Sequence, residues 1–332
     1  MRRYLIWAAV VYLLLLLLFP LPLLGKSEPK TQKKPQKEFS ALPGADKDGD
    51  SKGVFRLQSA DTGEVYEVPE LDFVIGAVSA EMYPTYHTEA LKAQAVASYT
   101  YYSAIRKRSR ANPAKELKGA DFSDKQLGFN VFYTKEQLKE RWKDGFEVYY
   151  KKVSDAVESV FEKLITYDDQ PITAVYHAIS AGTTEDAAVL WGTSYPYLQP
   201  VPSPGDKLSP DYLTEASFTP DELNEKLSRA EGFKASGEPD KWIKDKPQTS
   251  ASGTVTQIEI CGRVFTGVEI RELLGLRSAC FSVRYGDGEF VFTVSGYGHN
   301  VGMSQYGADY LARQGMTYEE ILRYYYTDVQ IK

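Results

Sequence analysis

An almost unbroken apolar run, Tyr4 to Leu24, opens the chain, and the stretch behind it, 25–52, is rich in Lys, Pro, Gln, Asp and Gly with almost no apolar residue. As a helix the 21 residues of the run would rise about 31 Å, the thickness of a bilayer's hydrocarbon core. It ends Phe19-Pro20-Leu21-Pro22-Leu23-Leu24-Gly25-Lys26 without a small-x-small cleavage site, so residues 1–24 read as an uncleaved transmembrane signal anchor. Residues 25–52 cannot bury enough surface to fold and read as a flexible linker. From residue 53 the pattern is that of a folded body, 53–332, hung from that tether.

Inside the body the period of the apolar positions changes repeatedly. Val54 to Gln58 and Glu64 to Val68 flank Asp61-Thr62-Gly63, which predicts a β-hairpin. Then Leu71, Val74, Ile75, Val78 and Met82 fall on one side of a 3.6-residue helix that Pro84 stops. Thr88 can cap a second helix, Glu89 to about Arg106, whose Ala90, Ala93, Ala95 and Ala97 permit close packing. Glu147 to Val160 reads as an amphipathic helix, and Phe161 to Tyr167 with Ile172 to Ala178 as a hairpin that delivers His177. Thr219-Pro220-Asp221-Glu222 and Thr317-Tyr-Glu-Glu320 are capping boxes, and Val255 to Ile260, Ser282 to Tyr285 and Glu289 to Ser295 read as strands. Ser304 to Gln314 is helical with Gly315 behind it. No internal repeat is present, and strands and helices come in mixed runs without regular alternation. The fold class is therefore α+β: mixed sheets and hairpins with packed helices.

Charge narrows the partners. The chain carries 39 Lys and Arg against 45 Asp and Glu, net −6, and the N-terminal 52 residues hold enough of the basic ones to leave the body at −10. That is the wrong sign for a protein that neutralises phosphates, so nucleic acid is excluded as a main partner. Lysines 26, 30, 33, 34 and 37 follow the apolar run, so the positive-inside count does not settle its orientation. Cys261 and Cys280 read as a candidate disulfide between neighbouring strands, against the alternative of two buried free thiols. A bridge would favour the extracytoplasmic side.

Glu81 is the candidate acid. It lies at the edge of the apolar helical stripe and in the last turn before Pro84, so partial desolvation and the negative end of the helix dipole both raise its pKa. A carboxyl still protonated near neutrality can serve as a general acid. The alternative pairs Glu81 with Lys92. In His177-Ala-Ile-Ser180-Ala-Gly182 a serine nucleophile is conceivable, but Ala178 occupies the first glycine of the Gly-x-Ser-x-Gly elbow, and a substrate-lining loop is the better reading. Gly296-Tyr-Gly298-His299-Asn300-Val-Gly302 misses a dinucleotide fingerprint at its third glycine. No pair among His87, His177 and His299 has i, i+4 spacing for zinc, and Asp46 to Leu57 lacks the glycine and glutamate of a calcium loop. Neither metal nor cofactor is expected.

Taken together, Ala80-Glu-Met-Tyr-Pro84, Leu91-Lys-Ala-Gln-Ala-Val-Ala97, Tyr176-His-Ala-Ile-Ser-Ala-Gly182, Trp191 to Leu198, Gly275-Leu-Arg-Ser278 and Gly298 to Ala308 resemble the stage II sporulation protein D family. The resemblance spans roughly residues 53–332. It implies a peptidoglycan lytic transglycosylase that cuts between N-acetylmuramic acid and N-acetylglucosamine in strands stripped of stem peptides, leaving 1,6-anhydro ends, during engulfment in sporulation. Glu81 would be its acid, with Lys92, Gln94, Tyr176, His177, Ser180, His299, Gln305 and Tyr306 in the glycan site. The implied partners are an amidase, stage II sporulation protein P, and a membrane scaffold, stage II sporulation protein M. The implied location is the septal or engulfing cell membrane, single-pass, with the body extracytoplasmic. The alternative is a wall-binding scaffold that recruits an amidase without catalysis, and a third reading is a metal amidase. Three departures stand out: Tyr99 replaces an arginine common in relatives, Ala178 and Ala181 alter the Ser-rich loop, and 121–128 lacks the Cys and His that bind zinc in some relatives.

Overall fold

The computed structural model describes residues 53–126 and 129–332. The expected anchor and linker lie outside these residues. Among the described residues no helix is long and apolar enough to cross a membrane. The body is α+β and is organised around two hydrophobic cores.

The first core begins with the expected hairpin, Val54–Gln58 against Val65–Pro69, extended in parallel by Phe122–Ser123. Helix α1, Glu70–Glu81, follows Pro69 directly, and its Phe73, Val74, Ala77 and Val78 are buried. Each such side chain taken out of water is worth about 1.5–3 kcal/mol for the larger ones. Helix α2 runs Thr88–Ala111, longer than the periodicity predicts, and its N-cap is His87, not Thr88: the His87 Nδ1 accepts from the Glu89 N–H at 3.2 Å. Ala90, Ala93 and Ala97 are fully buried along it, the close packing that their size allows. Helices α3, Lys135–Trp142, and α4, Phe146–Glu158, pack beside α1 and α2, and a short helix α5 spans Ala187–Trp191.

Only the first half of the second expected hairpin forms. Ile165–Tyr167 pairs with Gln170–Pro171 and with the C-terminal Gln330–Ile331. Tyr176–His177 instead pairs in parallel with Met303–Ser304, so His177 is placed by a segment far along the chain. At this crossing Gly302 has φ +71° and an added Cβ would meet the Val175 carbonyl oxygen at 2.1 Å, so only glycine lets the two backbones come this close.

The second core occupies the chain between these segments. A three-stranded antiparallel sheet has Glu289–Ser295 in the middle, flanked by Leu213–Phe218 and Phe281–Gly286. A smaller sheet has Val255–Ile260 between Gln248–Thr249 and Arg263–Phe265; helix α6, Pro220–Leu227, packs on the larger sheet, and α7, Gly267–Leu274, packs on the smaller one and against α6. The chain then returns to the first core as α8, Gln305–Arg313, and α9, Tyr318–Tyr325, the latter opened by the expected capping box at Thr317.

The cysteines correct the expected bridge. Both are free thiols. Cys261 sits in the turn after Val255–Ile260, whereas Cys280 lies beside the start of that strand, where the Val255 N–H donates to the Ala279 carbonyl at 2.9 Å. Six residues of strand, about 20 Å, separate the two, far beyond the Cα spacing that a disulfide tolerates.

Candidate active site

Three chain segments that are distant in sequence converge at the end of α1. Glu81 is the last residue of that helix, and Met82, whose N–H caps the helix by donating to the Val78 carbonyl, turns the chain out in an extended conformation. Gln94 lies nearly two turns into α2 and is completely buried. Gln305 opens α8, whose N-cap Ser304 accepts from the Gly307 N–H at 3.2 Å. The Gln305 Nε2 donates to Glu81 Oε2 at 3.1 Å and to Gln94 Oε1 at 3.4 Å. Gln94 Nε2 donates to Ser98 Oγ at 3.0 Å, and Ser98 Oγ donates to the Tyr176 hydroxyl at 3.4 Å. A carboxyl, two amides, a hydroxyl and a phenol thus form one chain through the first core. Because each Gln305 amide hydrogen has an acceptor, the amide cannot turn its oxygen toward Glu81 without losing both bonds.

The Glu81 residue is only partly covered, yet its carboxyl is surrounded by protein, and burial pushes its pKa up to about 7, the bond from Gln305 pulling the other way. Its neighbours include buried phenols: Tyr101, Tyr102 and Tyr176 are all raised, first by burial and in part by the Glu81 charge. The group is therefore about half protonated near neutrality, able both to give and to take a proton.

Lys92 is committed elsewhere. It pairs with Glu89 at 2.8 Å, and Glu89 Oε2 accepts from the Tyr318 N–H at 2.8 Å, which ties α2 to α9. Ser180 is held as structure: its hydroxyl donates to Asp206 and accepts from the Gly182 N–H at 3.1 Å. Asp206 also accepts from Ser304 Oγ at 2.8 Å and from the Ser180 N–H at 3.0 Å, so it fixes the start of α8, and burial still raises its pKa. His177 and His299 grip Val301. His177 Nδ1 donates to the Val301 carbonyl at 3.0 Å and His299 Nδ1 accepts from the Val301 N–H at 3.1 Å, their rings 5.6 Å apart. Burial lowers His177 to about 4, and burial with the nearby His177 and Arg271 takes His299 well below its usual range. Both imidazoles are neutral at pH 7, which suits binding or support, not acid catalysis. Tyr306 donates its N–H to the Ala178 carbonyl at 3.0 Å, and its side chain is half-buried beside Ile179 and Tyr297.

The family model described as stage II sporulation protein matches residues 58–167. The chain is 39% identical over 268 residues to stage II sporulation protein D of Bacillus subtilis (strain 168), covering 80% of this chain and 75% of that protein. The chain belongs to the stage II sporulation protein D family. It is also 38% identical over 267 residues to the stage II sporulation protein D of Bacillus amyloliquefaciens, over 80% of this chain and 75% of that one. A more distant relative is the amidase enhancer of Bacillus subtilis (strain 168), 26% identical over 305 residues that cover 76% of this chain and 39% of that protein.

Membership in the stage II sporulation protein D family places the chain in sporulation and gives the Tyr99 departure a structural reading. The Tyr99 hydroxyl donates to Glu70 Oε2 at 2.7 Å, and Arg106, two helical turns on, pairs with Glu70 Oε1 at 2.5 Å. Burial alone would raise the Glu70 carboxyl, but the bonds from Arg106 and Tyr99 outweigh it and hold it below its usual value. Glu70 is thus held by a neutral donor, Tyr99, and by a charge, Arg106. Sequence reasoning missed Asp206 and Ser98. Asp206 lies in a polar, Pro-rich stretch with no periodicity, and Ser98 is one small residue among alanines, so neither carries a local signal.

Proposed function

We propose that the protein is a lytic transglycosylase in which Glu81 is the single acid and base. The observation that carries this reading is the Glu81 carboxyl held near pH 7 at the junction of α1, α2 and α8. Protonated Glu81 gives its proton to the bridging oxygen as the muramic C1–O bond breaks. The resulting carboxylate takes the proton from the muramic C6 hydroxyl, whose oxygen closes on C1 to form the 1,6-anhydro ring. One carboxyl serves both steps and no water enters. A hydrolase would call for a second carboxyl as nucleophile or base. The groups that join Glu81 here are amides, a hydroxyl and phenols, while Glu89 is tied to Lys92 and the α9 backbone. A neutral, stem-peptide-free glycan also suits a body of net charge −10.

The test is mass spectrometry of the products that the full chain releases from amidase-treated peptidoglycan. Anhydromuramic ends, one water lighter than hydrolysed ends, are expected, and their loss in Glu81→Gln. Reducing muramic ends, or a Glu81→Gln variant with full activity, would overturn the assignment.

A second role is supported by the similarity to a protein named amidase enhancer: the chain would recruit or stimulate a wall amidase, with stage II sporulation proteins P and M as partners. Residues 1–24 would anchor it in the membrane and 25–52 would let the body reach the wall from the extracytoplasmic side. Stimulation of the amidase by Glu81→Gln as strong as by the parent would separate this role from cleavage.

A further inference from the structure

Tyr83 stands two residues past Glu81 in a turn that the Tyr86 N–H closes by donating to the Tyr83 carbonyl at 3.0 Å. Its surface is 66% exposed, well above the other exposed tyrosines Tyr66 and Tyr285. Its ring lies 5.9 Å from that of Tyr86, inclined by 55°. Burial first, then the charges of Asp309 and other nearby groups, push the Tyr86 phenol up. The turn is pinned on both sides. The His87 N–H donates to Asp309 Oδ1 on α8 at 2.6 Å, and Lys152 Nζ on α4 donates to the Tyr86 carbonyl at 2.6 Å. An exposed ring on a fixed turn loses little further freedom when it meets a ligand.

A pyranose ring presents an apolar face of C–H groups and an edge of hydroxyls. The end of α1 offers the matching pair: the open Tyr83 ring, and the partly exposed Glu81. We infer that Tyr83 stacks on the sugar next to the bond being cut, with Tyr86 beside it as the rest of a two-ring aromatic shelf. This assignment rests on the glycan-cutting reading of Glu81. It makes Tyr83 a substrate-binding residue that sets where along the strand the acid meets a bridge.

The experiment uses the full chain in detergent micelles with cleavage silenced by Glu81→Gln, titrated calorimetrically with glycan oligosaccharides from amidase-treated peptidoglycan. Adding Tyr83→Ala is expected to weaken binding about tenfold, whereas Tyr83→Phe stays within about twofold because the ring face remains. Val264→Ala, an exposed apolar position on the second core, is the control and leaves binding unchanged. With Glu81 intact, Tyr83→Ala raises KM by a similar factor and leaves the pH profile of kcat in place. If the parent binds and Tyr83→Ala binds equally well, the stacking assignment is wrong while the function stands. If Tyr83→Phe is as weak as Tyr83→Ala, a hydroxyl contact replaces stacking. If the Glu81→Gln parent binds no glycan, the glycan reading falls and this assignment with it.

Discussion

The two cores of this body are built on different terms. The second, around Phe218, Leu223, Phe265, Phe290 and Phe292, is packed almost wholly with apolar side chains, Trp242 stacked on Phe290 with ring centres 5.4 Å apart. The first buries Gln94, Ser98, His177, Ser180, Asp206 and Gln305 among its apolar residues. Buried polar groups stabilise little even when fully bonded and cost heavily when one partner is removed. The first core therefore gives up stability to hold a carboxyl in a set position and protonation state, and the second does not. The difference extends to pH. His177, neutral in the fold down to about 4, binds no proton where the unfolded chain would, so stability is lost as pH falls from 6.5 toward 4.

The largest effect is expected where the chemistry is absent. Phe292→Ala leaves a cavity in the second core and should lower stability by about 3–5 kcal/mol, read as a shifted midpoint in urea unfolding. The pH dependence of glycan cleavage should not move. A moved profile would mean that the two regions are coupled and that the contrast between them is false.

The next effect has the opposite sign. Glu81 has its pKa raised in the fold from 4.5 to about 7, so the fold is favoured by the protonated form below the unfolded pKa, and that advantage is lost as pH rises through about 7. Glu81→Gln carries no such penalty. It should abolish cleavage and yet be more stable than the parent at pH 8, by on the order of 2 kcal/mol once partial exposure is allowed for. The gap should close as the pH approaches 4.5. Thermal melts across that range check it, and equal stability at pH 8 would mean that the carboxyl is solvated.

The contrast between the cores also marks what could be read from the sequence. Periodicity reports which face of a local element is apolar, and it placed Glu81 at the edge of a buried helical stripe and located the capping boxes at Thr219 and Thr317. It is blind to pairing between distant segments. Tyr176–His177 meets Met303–Ser304 in parallel, a contact with no local pattern, so the hairpin expected to deliver His177 was given the wrong partner. Cys261 and Cys280 were read as close because they flank neighbouring strands, whereas register puts them at opposite ends of one. Gln94 and Gln305 came into view through the family motifs alone, since nothing in their local sequence says that Gln305 will meet a carboxyl 224 positions away and Gln94 an amide 211 positions away. Asp206 had neither motif nor period.

The smallest effect is the sharpest test of the first core's design. Gln305→Leu removes the donor that draws the Glu81 pKa down, and it leaves Gln94 Oε1 without the Gln305 amide that it accepts from. The Glu81 pKa should rise, so the fall in rate with increasing pH should begin at higher pH. The rate itself should drop by about fivefold, because the carboxylate that receives the C6 proton loses a bond worth about 1 kcal/mol. A glycan contact made by Gln305 alone would look different: KM would rise, and the pH at which activity falls would stay where it is. Measuring kcat and KM across pH for this one variant decides whether the amide serves the acid or the sugar.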